Sequence, residues 1–173
     1  MLRFLITGPP GVGKTTAIRK VASSLGEDAD GFYTEEIREK GSRRGFKIVT
    51  LRGESGLLAH MSLGHGPRLG RYRVNLEDLE SIGVRSLLRA IDSGRVLIVD
   101  EIGGMEMLSK EFREAVQRAL DSGIDIVATI RERADPFCDS IKSRSDVTLI
   151  RMDGENRDQV PDLILKAFHE RQE

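Results

Sequence analysis

Eight residues near the amino end of the chain combine glycines, a lysine and a threonine at a spacing that suits phosphate binding. They are Gly8, Pro9, Pro10, Gly11, Val12, Gly13, Lys14 and Thr15, and they fit the pattern G-x-x-x-x-G-K-[ST]. Glycines let the backbone approach a phosphate closely, and successive N–H groups at a helix start form an anion-binding concavity. In this pattern the lysine reaches the β- and γ-phosphates, and the hydroxyl ligates Mg²⁺. The segment, which continues into Thr16, therefore predicts a P-loop that binds a nucleoside triphosphate.

Two adjacent carboxylates form the second candidate group. Asp100 and Glu101 directly follow a continuous apolar run, residues 96–99, that is typical of a buried parallel strand. An aspartate in this position, the Walker B pattern, holds Mg²⁺ opposite the P-loop hydroxyl. A carboxylate beside it can polarise an attacking water, which favours hydrolysis over transfer to an organic acceptor. We therefore predict that Lys14 and Glu101 are catalytic and that Thr15 and Asp100 ligate Mg²⁺.

Further polar candidates follow the next predicted strand. Thr129 ends that strand, where its hydroxyl would face the γ-phosphate or the water; the alternative is an ordinary β-branched strand residue. Arg131, Arg133 and Arg144 lie just beyond, and an arginine near the γ-phosphate would stabilise transition-state charge. A solvated surface position is the other interpretation of each arginine.

Two regions outside these motifs carry the remaining candidates. Asn156 and Arg157 follow the last predicted strand and are expected to border the nucleotide. A basic segment has two interpretations, either a surface for phosphate or nucleic acid or a solvated hairpin that resists edge pairing. Its cations are Arg38, Lys40, Arg43, Arg44 and Lys47. No aromatic residue interleaves these charges as a single-strand stacking platform would require.

Hydrophobic spacing predicts the elements that position these residues. We expect strands over residues 1–7, 96–99, 124–130 and 147–152, and helices over residues 14–25, 75–92, 109–122 and 161–171. A hairpin insertion at about 31–51 has strands over 31–38 and 46–51, joined by a turn over 39–45. Short strands are expected over 56–62 and 72–75, a loop over 63–70, and a short helix from Asp135–Pro136.

This order of elements predicts an α/β three-layer sandwich with a mainly parallel sheet and a β-hairpin insertion, within one domain spanning residues 1–173. In such sheets ligands bind beyond the carboxyl ends of the strands. The P-loop, Asp100 and Thr129 should therefore line one rim.

Composition narrows the class of protein. Among 173 residues, 32% are charged and the net charge is −1, so overall charge indicates neither a nucleic-acid nor a membrane partner. The first apolar run is too short for a signal sequence, and a single cysteine, Cys138, excludes an internal disulfide. We therefore expect a cytoplasmic protein. Scarce Asn and Gln with abundant Arg and Glu favour a thermophilic source, although a GC-rich genome would also enrich Arg.

Several segments together resemble the THEP-type nucleoside-triphosphatase family, small proteins of archaea and thermophilic bacteria with a cancer-related eukaryotic branch. They are GPPGVGKTT, GFYTEEIREKGSRRGFKIV, VLIVDEIGGMEM and ENRD. The resemblance covers nearly the whole chain, and its more specific parts are the hairpin pattern and the run after Asp100. This chain has Gly104 where many members carry lysine.

The resemblance implies a RecA-like P-loop core and Mg²⁺-dependent, slow hydrolysis of ATP, GTP and other NTPs to NDP and phosphate, with low base selectivity. It assigns the triphosphate to residues 8–15, and the metal and water to Asp100 and Glu101. Two alternatives stay open. A nucleotide or small-molecule kinase would use the arginine-rich segment 131–144 as a lid, and a nucleic-acid-linked ATPase or switch would use the basic hairpin.

Overall fold

Nine strands form one continuous sheet in the computed structural model of the chain, which describes residues 1–172. The strands are β1 Arg3–Thr7, β2 Ala29–Glu39, β3 Ser42–Thr50, β4 Ser55–His60, β5 Arg68–Leu69, β6 Tyr72–Val74, β7 Val96–Ile102, β8 Ile126–Ile130 and β9 Thr148–Arg151. The helices are α1 Lys14–Leu25, α2 Leu76–Asp78, α3 Arg85–Ser93, α4 Lys110–Asp121, α5 Pro136–Lys142 and α6 Val160–Gln172.

The sheet has a parallel half and an antiparallel half. Its order is β5-β6-β4-β3-β2-β7-β8-β1-β9, and every pair from β2 to β9 is parallel. The pairs from β2 outward to β5 are antiparallel. The structure therefore confirms the α/β fold with a mainly parallel core and a hairpin insertion, and it shows that the insertion extends the core sheet directly.

Helices cover both faces of the parallel half because its strands are apolar on both sides. On β1, Ile6 faces the layer of α1 and α6, where Ile18 and Phe168 pack in the same cluster. The neighbouring Leu5 belongs to the opposite cluster, which includes Phe112 of α4. This alternation is what the period of two along a buried strand dictates, and it produces three layers.

The hairpin turn is tighter than the sequence suggested. Predicted as a loop over residues 39–45, it consists only of Lys40 and Gly41, with β2 and β3 pairing up to Glu39 and Ser42. Both turn residues have positive φ, 50° for Lys40 and 77° for Gly41. Such a two-residue turn matches the twist of the flanking strands. The charged residues next to the turn therefore still form backbone pairs between β2 and β3.

Two other segments differ in detail from the prediction. Residues 75–92 are mostly helical, as predicted, and a π-helical turn, Leu79–Val84, lies within them. Gly83 lies in that turn, where an added Cβ would stand 2.6 Å from Ile48 Cδ1, so the missing side chain lets the helix approach β3 closely. The loop predicted over 63–70 contains β5, which pairs with β6.

The strand predicted over 96–99 continues to Ile102, so Asp100 and Glu101 lie within β7, whereas three helix ends lie close to where the sequence predicts them. Ser109 accepts a hydrogen bond from the Phe112 N–H, and Asp135 caps the helix that Pro136 begins. Gly94 ends α3 in the left-handed conformation. None of the helices within residues 1–172 combines the length and apolar character needed to cross a bilayer.

Candidate active site

The P-loop joins the end of β1 to the start of α1, and its three glycines, Gly8, Gly11 and Gly13, all have positive φ. Gly8 has a φ of +152°, and an added Cβ would lie 2.4 Å from the Met152 carbonyl oxygen. Gly13, immediately before α1, has a φ of +107°, which glycine adopts far more readily than other residues. Lys14 Nζ lies over the loop and donates to the carbonyl oxygens of Gly8 at 2.7 Å and Pro9 at 3.3 Å. The start of α1 and the lysine therefore face the same space.

The other residues predicted to bind nucleotide lie along the same loop. Pro9, Pro10, Gly11 and Thr16 are exposed at its outer side, whereas Val12 is half-buried against the cluster beneath α1. Exposure of the outer residues leaves their backbone groups accessible to a phosphate chain.

Threonines surround the Asp100 carboxylate at the end of β7. Thr15 Oγ1 donates to Asp100 Oδ2 at 2.8 Å, and Thr129 Oγ1 donates to Asp100 Oδ1 at 2.8 Å. Asp100 is only 3% exposed and Thr129 is fully buried. The structure thus brings the P-loop hydroxyl, Asp100 and Thr129 to one rim. Burial raises the pKa of the Asp100 carboxyl, although the hydroxyl hydrogen bonds oppose this shift.

Thr34 is a third hydroxyl beside Asp100, which sequence reasoning did not propose as a site residue. Its backbone N–H and its Oγ1 both donate to Asp100 Oδ2 at 3.4 Å. The parallel ladder between β2 and β7 ends at the Phe32–Val99 pair, so Thr34 comes just after the carboxyl end of that pairing. A polar residue at that register position is the signal that could have identified it.

Replacing Thr34 with valine should weaken Mg²⁺ binding, and so raise the Mg²⁺ concentration that hydrolysis requires, without preventing folding. Valine has nearly the same shape but lacks the hydroxyl that helps to orient the Asp100 carboxylate, and loss of such a supporting contact typically costs about 10–100-fold in metal affinity. The measurement is the Mg²⁺ concentration that gives half-maximal NTP hydrolysis. Thr34→Ser is the matched control, and equal Mg²⁺ requirements in both variants would contradict a role for the hydroxyl.

Glu101 turns toward the P-loop from the residue after Asp100. Burial raises the pKa of its carboxyl, Lys14 opposes that shift, and the neighbouring Asp100 adds to it. Glu101 and Lys14 line the same two cavities beside the P-loop, one of about 900 Å³ and one of about 490 Å³. We call these the larger and the smaller cavity. A base and a cation thus face a common space.

Glu106 is an acidic residue of this site whose position only the structure reveals. It is 5% exposed, begins a short 3₁₀ turn, Glu106–Leu108, and lines the larger cavity. Burial raises the pKa of its carboxyl well above the usual range, and the nearby charge of Glu101 adds to this effect. In the sequence, Glu106 stands out only as part of the family pattern VLIVDEIGGMEM, because nothing nearby indicates that its carboxyl is buried.

Glu106→Gln should stabilise the protein near neutral pH. A carboxyl whose pKa is raised by folding stabilises the fold below its unfolded pKa, and this contribution is lost as pH rises toward the folded pKa. At pH 7 the amide avoids that loss, and we expect the Tm to rise by about 2–4 °C. Thermal unfolding without nucleotide should show the gain at pH 7 and no gain at pH 4. A lower Tm at pH 7 would mean that the carboxyl makes contacts the amide cannot replace.

The arginines beyond β8 occupy different surroundings. Arg131 and Arg133 line the smaller cavity together with Lys14 and Glu101. An added Cβ on Gly103 would stand 2.7 Å from the Arg131 Cβ, so a glycine is needed for this close packing. Arg144 points elsewhere, since it forms ion pairs with Asp146 at 2.9 Å and Asp121 at 3.4 Å.

Three further candidates lie outside the cavities that adjoin the P-loop. Arg38 forms an ion pair with Glu36 at 2.7 Å. Asn156 holds its own loop together, accepting from the Asp153 N–H at 2.9 Å and donating to the Arg151 carbonyl at 2.9 Å. Arg157 is exposed beside α6. Within the described part of the chain, none of the three lines the larger or the smaller cavity.

The chain is similar to known proteins over nearly its whole length. A protein-family model described as NTPase matches residues 3–165. The "Nucleoside-triphosphatase THEP1" of Thermotoga sp. (strain RQ2) is 53% identical over 167 residues, covering 96% of this chain and 95% of that protein. The chain therefore belongs to the THEP1 nucleoside-triphosphatase family.

Solved structures of this family share the fold. A crystal structure of THEP1 from Aquifex aeolicus superimposes with a TM-score of 0.88 at 36% identity, covering 96% of this chain and 98% of that one. The solution structure of a human cancer-related nucleoside triphosphatase gives a TM-score of 0.83 at 36% identity, covering 98% of each chain. The THEP1 of the archaeon Thermofilum pendens is 45% identical over 164 residues, covering 91% of this chain and 90% of that protein. Membership in the family identifies the chain as a hydrolase of nucleoside triphosphates, as the resemblance implied.

Proposed function

We propose that this chain is a Mg²⁺-dependent phosphohydrolase that converts an NTP and water to NDP and phosphate, with broad base specificity and slow turnover. The observation that carries the proposal is the 2.8 Å contact between the Thr15 hydroxyl and the Asp100 carboxylate, with Glu101 as the next residue. This contact supports Mg²⁺ ligation by Thr15 and Asp100, with Glu101 beside them to orient the water.

The residues present fit Mg²⁺. This ion prefers oxygen ligands and is usually held by one or two protein carboxylates together with substrate phosphates and water. Thr15 and Asp100 provide two such oxygens, and residues 1–172 contain no cluster of three or more His, Cys, Asp or Glu residues that could hold a metal alone. When bound, the ion would neutralise charge on the β- and γ-phosphate oxygens.

The chain's own groups then account for the chemical step. Glu101 orients a water for in-line attack on the γ-phosphorus and accepts its proton. A bond forms between the water oxygen and phosphorus, the bond to the β–γ bridging oxygen breaks, and NDP leaves. Lys14 and the P-loop N–H groups stabilise the charge that spreads over the phosphate oxygens, and the position of Arg131 in the lining of the smaller cavity supports a similar contribution from its guanidinium.

Broad base specificity is supported by where the polar groups lie. In the proposed mechanism the groups around Asp100 and Lys14 contact the triphosphate. Asn156 and Arg157, the candidates for contact with the nucleobase, lie outside both cavities. ATP, GTP and other NTPs are therefore the proposed substrates. The composition also supports operation at high temperature, since Asn and Gln are scarce.

The hairpin arginines do not favour a nucleic-acid partner. Arg38 and Arg43 both pair with Glu36, and Arg44 pairs with Glu39 at 3.5 Å. Paired cations contribute less to phosphate binding and to its salt dependence than free ones. This arrangement agrees with a solvated hairpin.

Initial rates across a nucleotide panel test the proposal. We expect phosphate release from ATP, GTP, CTP and UTP to agree within about tenfold, because the catalytic groups act on the triphosphate. Release should require Mg²⁺, and a nucleoside diphosphate should react far more slowly because it lacks the γ-phosphate. The panel is measured with Mg²⁺ and with EDTA, at moderate and high temperature. Rates that differ by several orders of magnitude between bases, or that persist in EDTA, would contradict the proposal.

A further inference from the structure

The larger cavity continues well past the groups that would surround the γ-phosphate. Lys14, Thr15, Asp100 and Glu101 mark the γ-phosphate end of a bound triphosphate, because the P-loop lysine and hydroxyl act on that end. Beyond them the cavity extends under the antiparallel half of the sheet. We call this part the outer compartment, and it is lined by Arg43, Phe46, Leu58, Leu69, Met105 and Glu106.

Hydrolysis alone does not require such a space. The reacting groups are the triphosphate and one water molecule, with the ribose and base extending away from them, whereas the larger cavity measures about 900 Å³. Pockets that bind small organic ligands typically measure about 300–1,000 Å³. The larger cavity as a whole lies near the upper end of that range, so a triphosphate chain at its P-loop end leaves space in the outer compartment for an organic group.

The lining of the outer compartment is mainly apolar. Leu58 is 1% exposed and forms part of the core, and Phe46 is half-buried and packs against Tyr72 at 5.4 Å between ring centroids. Leu69, in the β5–β6 hairpin, reaches across toward Gly104, since an added Cβ there would lie 3.8 Å from Leu69 Cδ2. An aromatic and aliphatic wall closed by an exposed leucine suits a flat organic ring.

The charges of the larger cavity indicate that this ring belongs to a neutral molecule. Two arginines line the cavity, and each is already engaged: Arg43 pairs with Glu36 at 3.2 Å, and Arg19 pairs with Glu35 at 3.7 Å. Arg43 also donates to the Tyr72 hydroxyl at 3.0 Å. A phosphorylated acceptor would need an available cation outside the P-loop, and both arginines of this cavity are already paired with carboxylates.

We propose that the outer compartment binds a neutral ring compound bearing a hydroxyl group, and that this hydroxyl accepts the γ-phosphoryl group in place of water. The proposal rests on the proposed function, because it requires the triphosphate to lie with its γ-phosphate at Lys14 and Asp100. The acceptor oxygen forms a bond to the γ-phosphorus while the bond to the β–γ bridging oxygen breaks. NDP leaves, and the hydroxyl proton passes to the Glu101 carboxylate and then to solvent.

This activity accommodates hydrolysis at the same site. Glu101 can orient either a water or an alcohol, because both present an O–H group to the same carboxylate. Without an acceptor, water fills the outer compartment and the γ-phosphate is hydrolysed. A site shaped for an acceptor holds that water less firmly, which agrees with slow turnover.

The test follows the label from ATP labelled in its γ-phosphate. The acceptors offered are benzyl alcohol, 2-phenylethanol, uridine and adenosine, with AMP as the anionic comparison. We expect label on at least one neutral alcohol and none on AMP. Leu69→Trp should fill the outer compartment from its exposed mouth and lower the ratio of transferred to released label by about tenfold or more. Leu163→Trp, a change at an exposed leucine on α6, should leave that ratio unchanged.

Three results would overturn the inference. One is the absence of label from every neutral alcohol under conditions in which phosphate is released. Another is transfer to AMP alone, which would assign the compartment to a phosphorylated acceptor. The third is a raised KM for ATP in Leu69→Trp with an unchanged product ratio, which would mean that the nucleobase occupies the space. Phosphate release from ATP alone tests the proposed hydrolysis separately, so the two can fail independently.

Discussion

Glu101→Gln should lower the rate of phosphate release by about 10²–10⁴-fold while leaving the affinity for NTP almost unchanged. The amide keeps the shape of the side chain but cannot accept a proton from the attacking water. In the proposed mechanism it also makes no contact that the ground-state triphosphate requires, since Lys14 and the P-loop N–H groups would provide those contacts. Single-turnover rates and nucleotide-binding titrations measure the two quantities separately.

Two further variants serve as controls for the Glu101→Gln result. Lys14→Ala should weaken both binding and hydrolysis, because the lysine contacts the phosphates in the ground state and in the transition state. Glu155→Gln changes an exposed carboxylate in the loop before α6 and should leave both unchanged. Full activity in Glu101→Gln would mean that Glu101 takes no part in the mechanism and that other groups position the water.

The pH profile adds an independent signature of Glu101. Because burial raises the pKa of this carboxyl, the wild-type rate should begin to fall at a pH above the pKa of an ordinary glutamate as solutions are made more acidic. The base is lost when the carboxylate is protonated, so the rate decreases as pH falls. The residual rate of Glu101→Gln should lack this acid limb.

Asp100→Asn should make the protein more stable and nearly inactive. Burial raises the pKa of the Asp100 carboxyl, which means that the fold disfavours its charged form at neutral pH. A neutral amide of the same shape removes that cost, and we expect the Tm without nucleotide to rise by about 2–4 °C. Mg²⁺-dependent hydrolysis should fall by about 100-fold or more, because a carboxylate ligand is lost.

The sign of the stability effect can be checked with pH. A raised folded-state pKa contributes stability below the unfolded pKa and loses it as pH rises, so wild type and Asp100→Asn should converge below about pH 4. Asp158→Asn, at an exposed position, should change neither Tm nor activity. A lower Tm in Asp100→Asn would mean that the hydrogen bonds from Thr15 and Thr129 stabilise the carboxylate more than burial destabilises it.

The parts of the site that sequence alone predicted are those encoded by consecutive residues. The P-loop joins a strand to a helix within one short segment, and Asp100 and Glu101 directly follow the apolar run that buries them. Their meeting at one rim follows from the general rule that parallel strands align their carboxyl ends. The family resemblance then supplied the reaction.

Thr34 and Glu106 could not be predicted in the same way. Thr34 reaches Asp100 because of the register between β2 and β7, and register depends on pairing between distant segments. The role of Glu106 depends on its burial in the turn after β7, which the sequence does not indicate for a charged residue in a short segment between a strand and a helix. Likewise the turn at Lys40 and Gly41 was predicted too long, because charged strand residues resemble a loop when only composition is considered.

Strand β2 also has an evolutionary consequence. Its first residues, up to Phe32, pair with β7 in the parallel core, Thr34 then contacts Asp100, and Glu36 lies beside Arg43 over the outer compartment. One strand thus passes from the groups proposed to cleave the phosphate to the surface proposed to bind a second molecule. Mutations beyond Thr34 can change that selection while the groups around Asp100 stay intact. Descendants of one ancestral hydrolase could therefore diverge in what they recognise through the outer half of a single hairpin.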